Sequence, residues 1–486
     1  MGLVLLVAVV VPGRAMAHAV LLRSVPPSGQ TLSRAPDQVQ LLFSEPIDAA
    51  FSSVHVLDSS RQKVDQGDGG VDPNDDHQLV VSLRPGLANG IYTVSWRSLS
   101  TIDVHPDQGQ YALYVGVPVP AGAASTITGQ VTATPETTLG RWWFYLAASL
   151  FGGVLATWKL VLSSVLSDDL HAVVRRRAYQ LVVVGGVLLA MGTLFTAVAQ
   201  AAAAAGVPLN EALGQPLADL LLRGRFASIW WPRLGLEVAS LLLVALGGLD
   251  GVAAESALAT LPAVLLTSSL TSHGAALPSG SAAGIAVDWL HIVGATTWVG
   301  GLVSLVVLLP VIYRTEKART NGIVPRLVAR FGRFALAASA VVVLSGVVQA
   351  TIEVGSWTGL LNTAYGELVL IKVGLLAGML GLAVVNDRRG RARVGGNVWV
   401  VGTGVRVELV LGLLALVAAA VLTGTPPARQ FLTTARRGSP RTEAAAAALG
   451  RPFTKGWAAR PELALIVVFA RRPLAKVARR PIAEIP

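Results

Sequence analysis

The sequence predicts a two-part protein: a small all-β sandwich followed by an all-α polytopic membrane domain of about eight helices. Three observations predict it. Of 486 residues, 53% are hydrophobic and only 14% charged, whereas a soluble chain would carry nearer a quarter charged residues. Apolar runs of about 20 residues, the length that matches a bilayer's hydrocarbon core, recur from Arg141 onward. Ahead of them, residues 18–117 are polar and punctuated by Pro and Gly, with short alternating apolar runs. A single soluble globule is excluded.

The elements follow in chain order. Residues 1–17 hold a short apolar stretch ending in Ala15-Met16-Ala17, a signal-peptide cleavage pattern that lacks the usual basic n-region. Cleavage there leaves His18 as the new N-terminus. Within residues 18–117, five runs read as strands: Val39–Phe43, Ser53–Leu57, Leu79–Leu83, Tyr92–Trp96 and Tyr111–Val115. Turn clusters such as Pro26-Pro-Ser-Gly29 and Gly67-Asp-Gly-Gly70 separate them, the spacing of an Ig-like sandwich. Residues 118–138, rich in Pro, Ala, Thr and Gly, read as a linker.

The membrane domain, residues 139–427, divides into eight apolar spans: 141–162, 179–202, 230–247, 256–272, 285–309, 334–352, 367–386 and 404–424. With residues 18–117 exported, the inward loops hold Arg175-Arg-Arg177, a basic set from Arg314 to Arg333, and the set Arg388, Arg389, Arg391 and Arg393. The outward loops near 273–284 and 353–366 hold no Lys or Arg. That is the positive-inside pattern, so the net charge of +11 is a topology signal rather than a nucleic-acid one. Residues 428–486 form a basic, Pro-rich tail expected to be disordered. No GxxxxGK[ST] phosphate loop occurs, so no nucleotide-driven pump is expected.

Chemistry is confined to few residue types. The absence of cysteine excludes thiolate sites and disulfides, and four methionines are too few for a Met-rich Cu(I) channel. There are seven histidines. After cleavage His18 offers an amine and an imidazole from one residue. In Asp103-Val-His105-Pro106, side chains alternate if the segment is extended, which puts Asp103 and His105 on one face. Amine, two imidazoles and a carboxylate suit tetragonal Cu(II). A second constellation lies at the outer ends of spans four and five, where His273 is followed by Asp288 and His291, three apart on one helix face. With Glu353 and Glu367 bracketing the next outer loop, these residues suggest a hard-metal site at the bundle's mouth. Glu237 and Lys372, inside spans three and seven, are expected to form an ion pair. Glu408 and Arg406 are placed to meet Asn386-Asp387 or the cytoplasmic exit.

These residues also carry a resemblance. His18-Ala-Val-Leu-Leu, Pro26-Pro-Ser-Gly29, Leu42-Phe-Ser-Glu-Pro46, Asn89 to Arg97 and Ser100 to His105 follow one another as in the periplasmic copper protein CopC, across essentially all of residues 18–117. The resemblance implies a β-sandwich binding Cu(II) through His18, Asp103 and His105. Here Val104 replaces the usual glycine of a D-G-H motif, and one extra residue stands between Ser100 and Asp103. Residues 270–427 resemble the membrane protein CopD, through Ser272-His-Gly-Ala275, Asp288 to Gly301, Arg330 to Phe334, Leu344-Ser-Gly346, Thr363 to Gly366, Lys372, Asn386 and Arg406-Val-Glu408. Together they imply a copper-homeostasis protein of the bacterial cytoplasmic membrane that is not an enzyme. It would bind copper outside the membrane and import it, with copper and the lipid bilayer as partners and no nucleic acid. Two other readings are compatible with the histidines: a copper-brace redox enzyme built on His18, and a haem-binding electron carrier using His273 and His291.

Overall fold

A computed structural model describes residues 19–120, 128–131, 134–277, 280–314, 323–392 and 398–429. The leader 1–17, His18 and the tail beyond Arg429 lie outside the described residues. The first part is a two-sheet sandwich. One sheet has the order β1-β3-β6-β5, with β1 Leu21–Val25, β3 Gln38–Phe43, β5 Gly70–Asp72 and β6 Asp75–Ser82. The other runs β2-β8-β7-β4, with β2 Thr31–Leu32, β4 Ser53–Leu57, β7 Gly90–Leu99 and β8 Pro106–Val115. All five strands read from the sequence are present.

Period-two burial explains the sandwich. Val39, Leu41 and Phe43 of β3, Val54 and Val56 of β4, and Tyr92, Val94 and Trp96 of β7 all point into one apolar core. The antiparallel β7–β8 pair, in register from Gly90↔Val115 to Leu99↔Pro106, leaves residues 100–105 as its connecting loop. The expected linker 118–138 is partly structured: β9, Thr128–Val131, adds to β8, and the first membrane helix begins at Pro135, capped by Thr134.

Among the described residues, eight helices are long and apolar enough to cross a bilayer, in the order the hydropathy gave. They are α1 Pro135–Leu162, α2 Asp168–Ala205, α3 Gly224–Gly247, α4 Gly251–Ser269, α5 Ser281–Arg314, α6 Ile323–Glu353, α7 Ala364–Ala392 and α8 Val398–Thr423. Each is longer at one or both ends than its apolar run, because helical hydrogen bonding continues into the polar flanks. Helices α1 and α5 are the most enclosed. They cross where Gly153 meets Gly300: a Cβ on Gly300 would stand 2.2 Å from Ser149 O and 2.5 Å from Gly153 Cα, so only small residues allow the approach. Outward-facing Leu246, Val252 and Leu336 are exposed, as a lipid-facing surface requires.

The sandwich is seated on the bundle end where α1 starts and where α2, α4 and α8 finish. Phe51, Leu99 and Val104 of the sandwich share a small apolar cluster with Ala201, Ala202, Ala204, Ala212 and Leu220. Arg97 donates from Nη1 to Ala205 O at the C-terminus of α2, a cation placed on the negative end of the helix dipole. Gly206 closes that helix at φ 64°, and a Cβ there would collide with the Arg97 guanidinium.

Candidate metal centre

The loop joining β7 to β8 carries Asp103 and His105, and its fold differs from the extended form expected of it. Residues 101–103 form a turn, and Val104 sits at φ 60°, the left-handed region. A β-branched residue is strained there, and glycine, which a D-G-H motif supplies, would not be. The Ser100 hydroxyl accepts from the backbone of Ile102 at 3.0 Å and Asp103 at 3.3 Å and donates to Glu45 Oε2 at 2.5 Å, which holds the turn. Asp103 and His105 therefore meet through a bend rather than by strand alternation. Asp103 Oδ2 lies 3.2 Å from His105 Nδ1, and the two residues are only 1% and 5% exposed. Burial pushes the Asp107 carboxyl, at the start of β8, up to about 7, with the Asp103 charge adding to the effect.

The docking of the sandwich brings the two sets of residues named from the sequence to one place. The ring of His105 stacks on that of His273 with centroids 5.4 Å apart and planes 29° from parallel. His105 Nε2 also stands 3.1 Å from Thr423 O, at the end of α8, and 3.2 Å from Arg141 Nη2, near the start of α1. Gln200 of α2 donates to Val104 O at 2.6 Å. Arg141, Gln200 and Thr423 are site residues that sequence reasoning missed. Arg141 was legible only as the first residue of a span.

Two cavities adjoin this point. The smaller, about 90 Å³, is walled by Asp103, His105, Arg141, Gln200 and Arg233. The larger, about 350 Å³, descends between α5, α6, α7 and α8 and is walled by His273, Asp288, His291, Glu353 and Lys372 at the sandwich end. Tyr145, Ser272, Asp288 and Thr423 line both, so the cavities share a wall. Asp288 and His291 face the same cavity, as their spacing predicted, but lie about two turns inside α5 rather than at its opening.

His273, Asp288 and His291 line one cavity without converging as a ligand set. His291 Nδ1 is 3.1 Å from Val342 O and 3.0 Å from Ser345 Oγ, and Asp288 Oδ1 accepts from Gln349 at 3.0 Å. Of the two flanking glutamates, Glu353 reaches the cavity, where Tyr365 donates to it, and Glu367 does not line it. The expected Glu237–Lys372 pair does not form. Glu237 accepts from Thr193 at 2.8 Å beside Arg233, while the charges facing Lys372 are Glu353 and Asp288. Order around the bundle, not depth in the sequence, chose those partners. Asn386 does donate to Glu408, at 3.3 Å. Among the described residues, the one trio of acidic and histidine ligand atoms within 4.8 Å of one another is Asp75, Asp76 and His77, on the sandwich surface and engaged in local hydrogen bonds.

Residues 21–116 match the CopC domain family, and residues 325–422 match the family described as copper resistance protein D. Copper transport protein CutJ of Bacillus subtilis (strain 168) is 28% identical over 439 residues, covering 87% of this chain and 77% of that protein. Copper resistance protein C of Escherichia coli is 32% identical over 110 residues, 21% of this chain and 83% of the relative. Among solved structures, CopC from Methylosinus trichosporium OB3b aligns at 29% identity with a TM-score of 0.18, over 21% of this chain and 98% of that one.

Proposed function

This chain belongs to the copper-resistance CopC/CopD family, a CopC domain followed by a CopD domain, and from that premise we propose that it binds Cu(II) on its exported sandwich and imports copper through the helical bundle. Under this reading His18, Asp103 and His105 are the capturing ligands. The bundle lies in the cytoplasmic membrane, the sandwich lies outside it, and the far loops with their arginines face the cytoplasm. The protein moves an ion and catalyses no reaction. The observation that carries the reading is the stacking of His105, whose Nδ1 lies 3.2 Å from Asp103 Oδ2, on His273 at the wall shared by both cavities.

The geometry supports a hand-over in two states. With the sandwich seated, Asp103 and His105 are closed off from solvent, so loading requires the loop to lift from the bundle. Reseating then brings the loaded imidazole against His273. It also brings up Arg141, whose permanent positive charge opposes a divalent ion at His105 Nε2. Docking thus weakens the capturing site at the moment its acceptor is in reach. The linkage within one chain keeps the donor at high local concentration.

Cu(II) EPR on the full processed chain tests the capture step. A tetragonal nitrogen-rich signal is expected in the wild type, and it should be lost in D103N and H105A and on adding one alanine ahead of His18. A signal indifferent to all three changes would overturn the assignment. Uptake into proteoliposomes, abolished by H273A while the EPR signal persists, tests the transfer step.

A further inference from the structure

The floor of the larger cavity is formed by Val299 of α5, Met379 of α7 and Gly412 of α8. A Cβ on Gly412 would stand 3.2 Å from Met379 Cε and 3.3 Å from Val299 Cγ2. The same three helices carry a second polar layer beyond that floor, further from the sandwich. Glu408 lies one turn past Gly412, about 6 Å along α8, and Asn386 lies seven residues past Met379, about 10 Å along α7. Trp298, next to Val299, comes within electrostatic reach of Glu408 without a well-formed hydrogen bond.

This layer is built in a way that packing alone does not explain. Glu408 is 3% exposed and Asn386 7% exposed. The carboxylate accepts one amide hydrogen bond, at 3.3 Å, and among the described residues no Lys, Arg or His forms an ion pair with it. Burying a carboxylate in a spanning helix without a counter-charge costs several kcal/mol, which is why such groups mark ion pathways. The Asn386 Oδ1 atom is buried and, among the described residues, has no donor. Gly404 is what lets Asn386 sit there, since a Cβ at 404 would lie 1.9 Å from that oxygen. Among the described residues, two hard oxygen acceptors are therefore held side by side, with the Asn386 amide N–H between them and the Trp298 indole facing the carboxylate.

We propose that Glu408 and Asn386 form a second copper-coordinating station at the far end of the bundle, receiving the ion after it passes Met379. The inference rests on the reading that copper travels through the bundle. Carboxylate and amide oxygens bind a divalent copper ion more weakly than an amine with two imidazoles, so the station favours onward release. Met379 supplies the one sulfur along the cavity wall. The order from outside inward runs from a mixed set of nitrogen and carboxylate donors, past a single thioether, to oxygen donors alone.

The test uses the full chain, with copper(II) chloride as probe, read two ways: bound equivalents in detergent and uptake into proteoliposomes. E408Q is expected to bind one copper equivalent fewer than the wild type and to take up copper at least tenfold more slowly, with the sandwich EPR signal unchanged. E408D, which keeps the carboxylate, should retain the equivalent with altered EPR parameters. If E408Q does not fold, N386A gives the same reading, with an expected tenfold weaker far-end equivalent. Wild-type binding and uptake in E408Q would overturn the station. If the wild type moves no copper but still binds the equivalent that E408Q lacks, the transport reading fails and the station stands.

Discussion

Replacing Arg141 with glutamine should tighten copper binding to the full-length protein, although Arg141 lies outside the sandwich proposed to bind it. The guanidinium Nη2 is 3.2 Å from His105 Nε2, on the same open side of that nitrogen that a metal at about 2 Å would occupy, so a bound ion has to push the guanidinium back to roughly 5 Å. A single positive charge about 5 Å from a divalent ion, at an effective dielectric of about 20, opposes it by roughly 6–7 kcal/mol before screening. Arg141 is partly exposed and Asp103 offsets some of the charge, so we retain about 2–3 kcal/mol, a 30–100-fold change in affinity. A competition titration of Cu(II) against a chelator of known affinity, on wild type and R141Q, measures it directly. R175Q, at the opposite end of the bundle where Arg175 pairs with Asp250, serves as control and should leave affinity unchanged. Equal or weaker binding by R141Q would refute the idea that docking opposes copper at His105, and with it the two-state hand-over.

Three further outcomes are expected. At Val104, alanine loses about 1.5 kcal/mol of buried apolar surface and keeps the left-handed backbone, while glycine loses more surface but recovers about 1–2 kcal/mol of strain. V104G should therefore melt a few degrees above V104A, with both below wild type, and the reverse order would rule out the left-handed turn. Asp107 holds its proton up to about 7 in the folded sandwich but only to about 4 when unfolded. The native state then binds the extra proton between those values, so metal-free stability should fall as pH rises from 4 to 7, by roughly 4 kcal/mol at most. D107N should flatten that slope in melts recorded from pH 5 to 8, and an unchanged slope would count against it. G300A forces a methyl against Ser149 O and Gly153 and should destabilise the bundle by about 2–3 kcal/mol. Thermal unfolding in detergent reads this, and a G300A protein as stable as wild type would disprove the close α1–α5 crossing.

What the sequence by itself determined is what local periodicity encodes. Alternation at period two marked the strands through Val39, Val54 and Val94, because each buries every second side chain in one core. Apolar runs marked all eight spans, because a helix in hydrocarbon satisfies its own backbone and needs only apolar side chains over a fixed length. The spacing of Asp288 and His291 placed both on one cavity wall for the same local reason. Tertiary structure alone decided which distant groups meet. The stacking of His105 on His273, and the approach of Arg141 and Thr423 to the same imidazole, depend on how the sandwich sits on the bundle, and no periodicity reports that. Glu237 and Lys372 found other partners because helix order around the bundle sets which faces oppose, whereas depth along a span says only that a charge there needs a partner. The bend at Val104 was hidden for a related reason. A β-branched residue before a histidine and a proline argues for extended chain locally, and the contacts that hold it left-handed come from Ser100, Glu45 and Gln200.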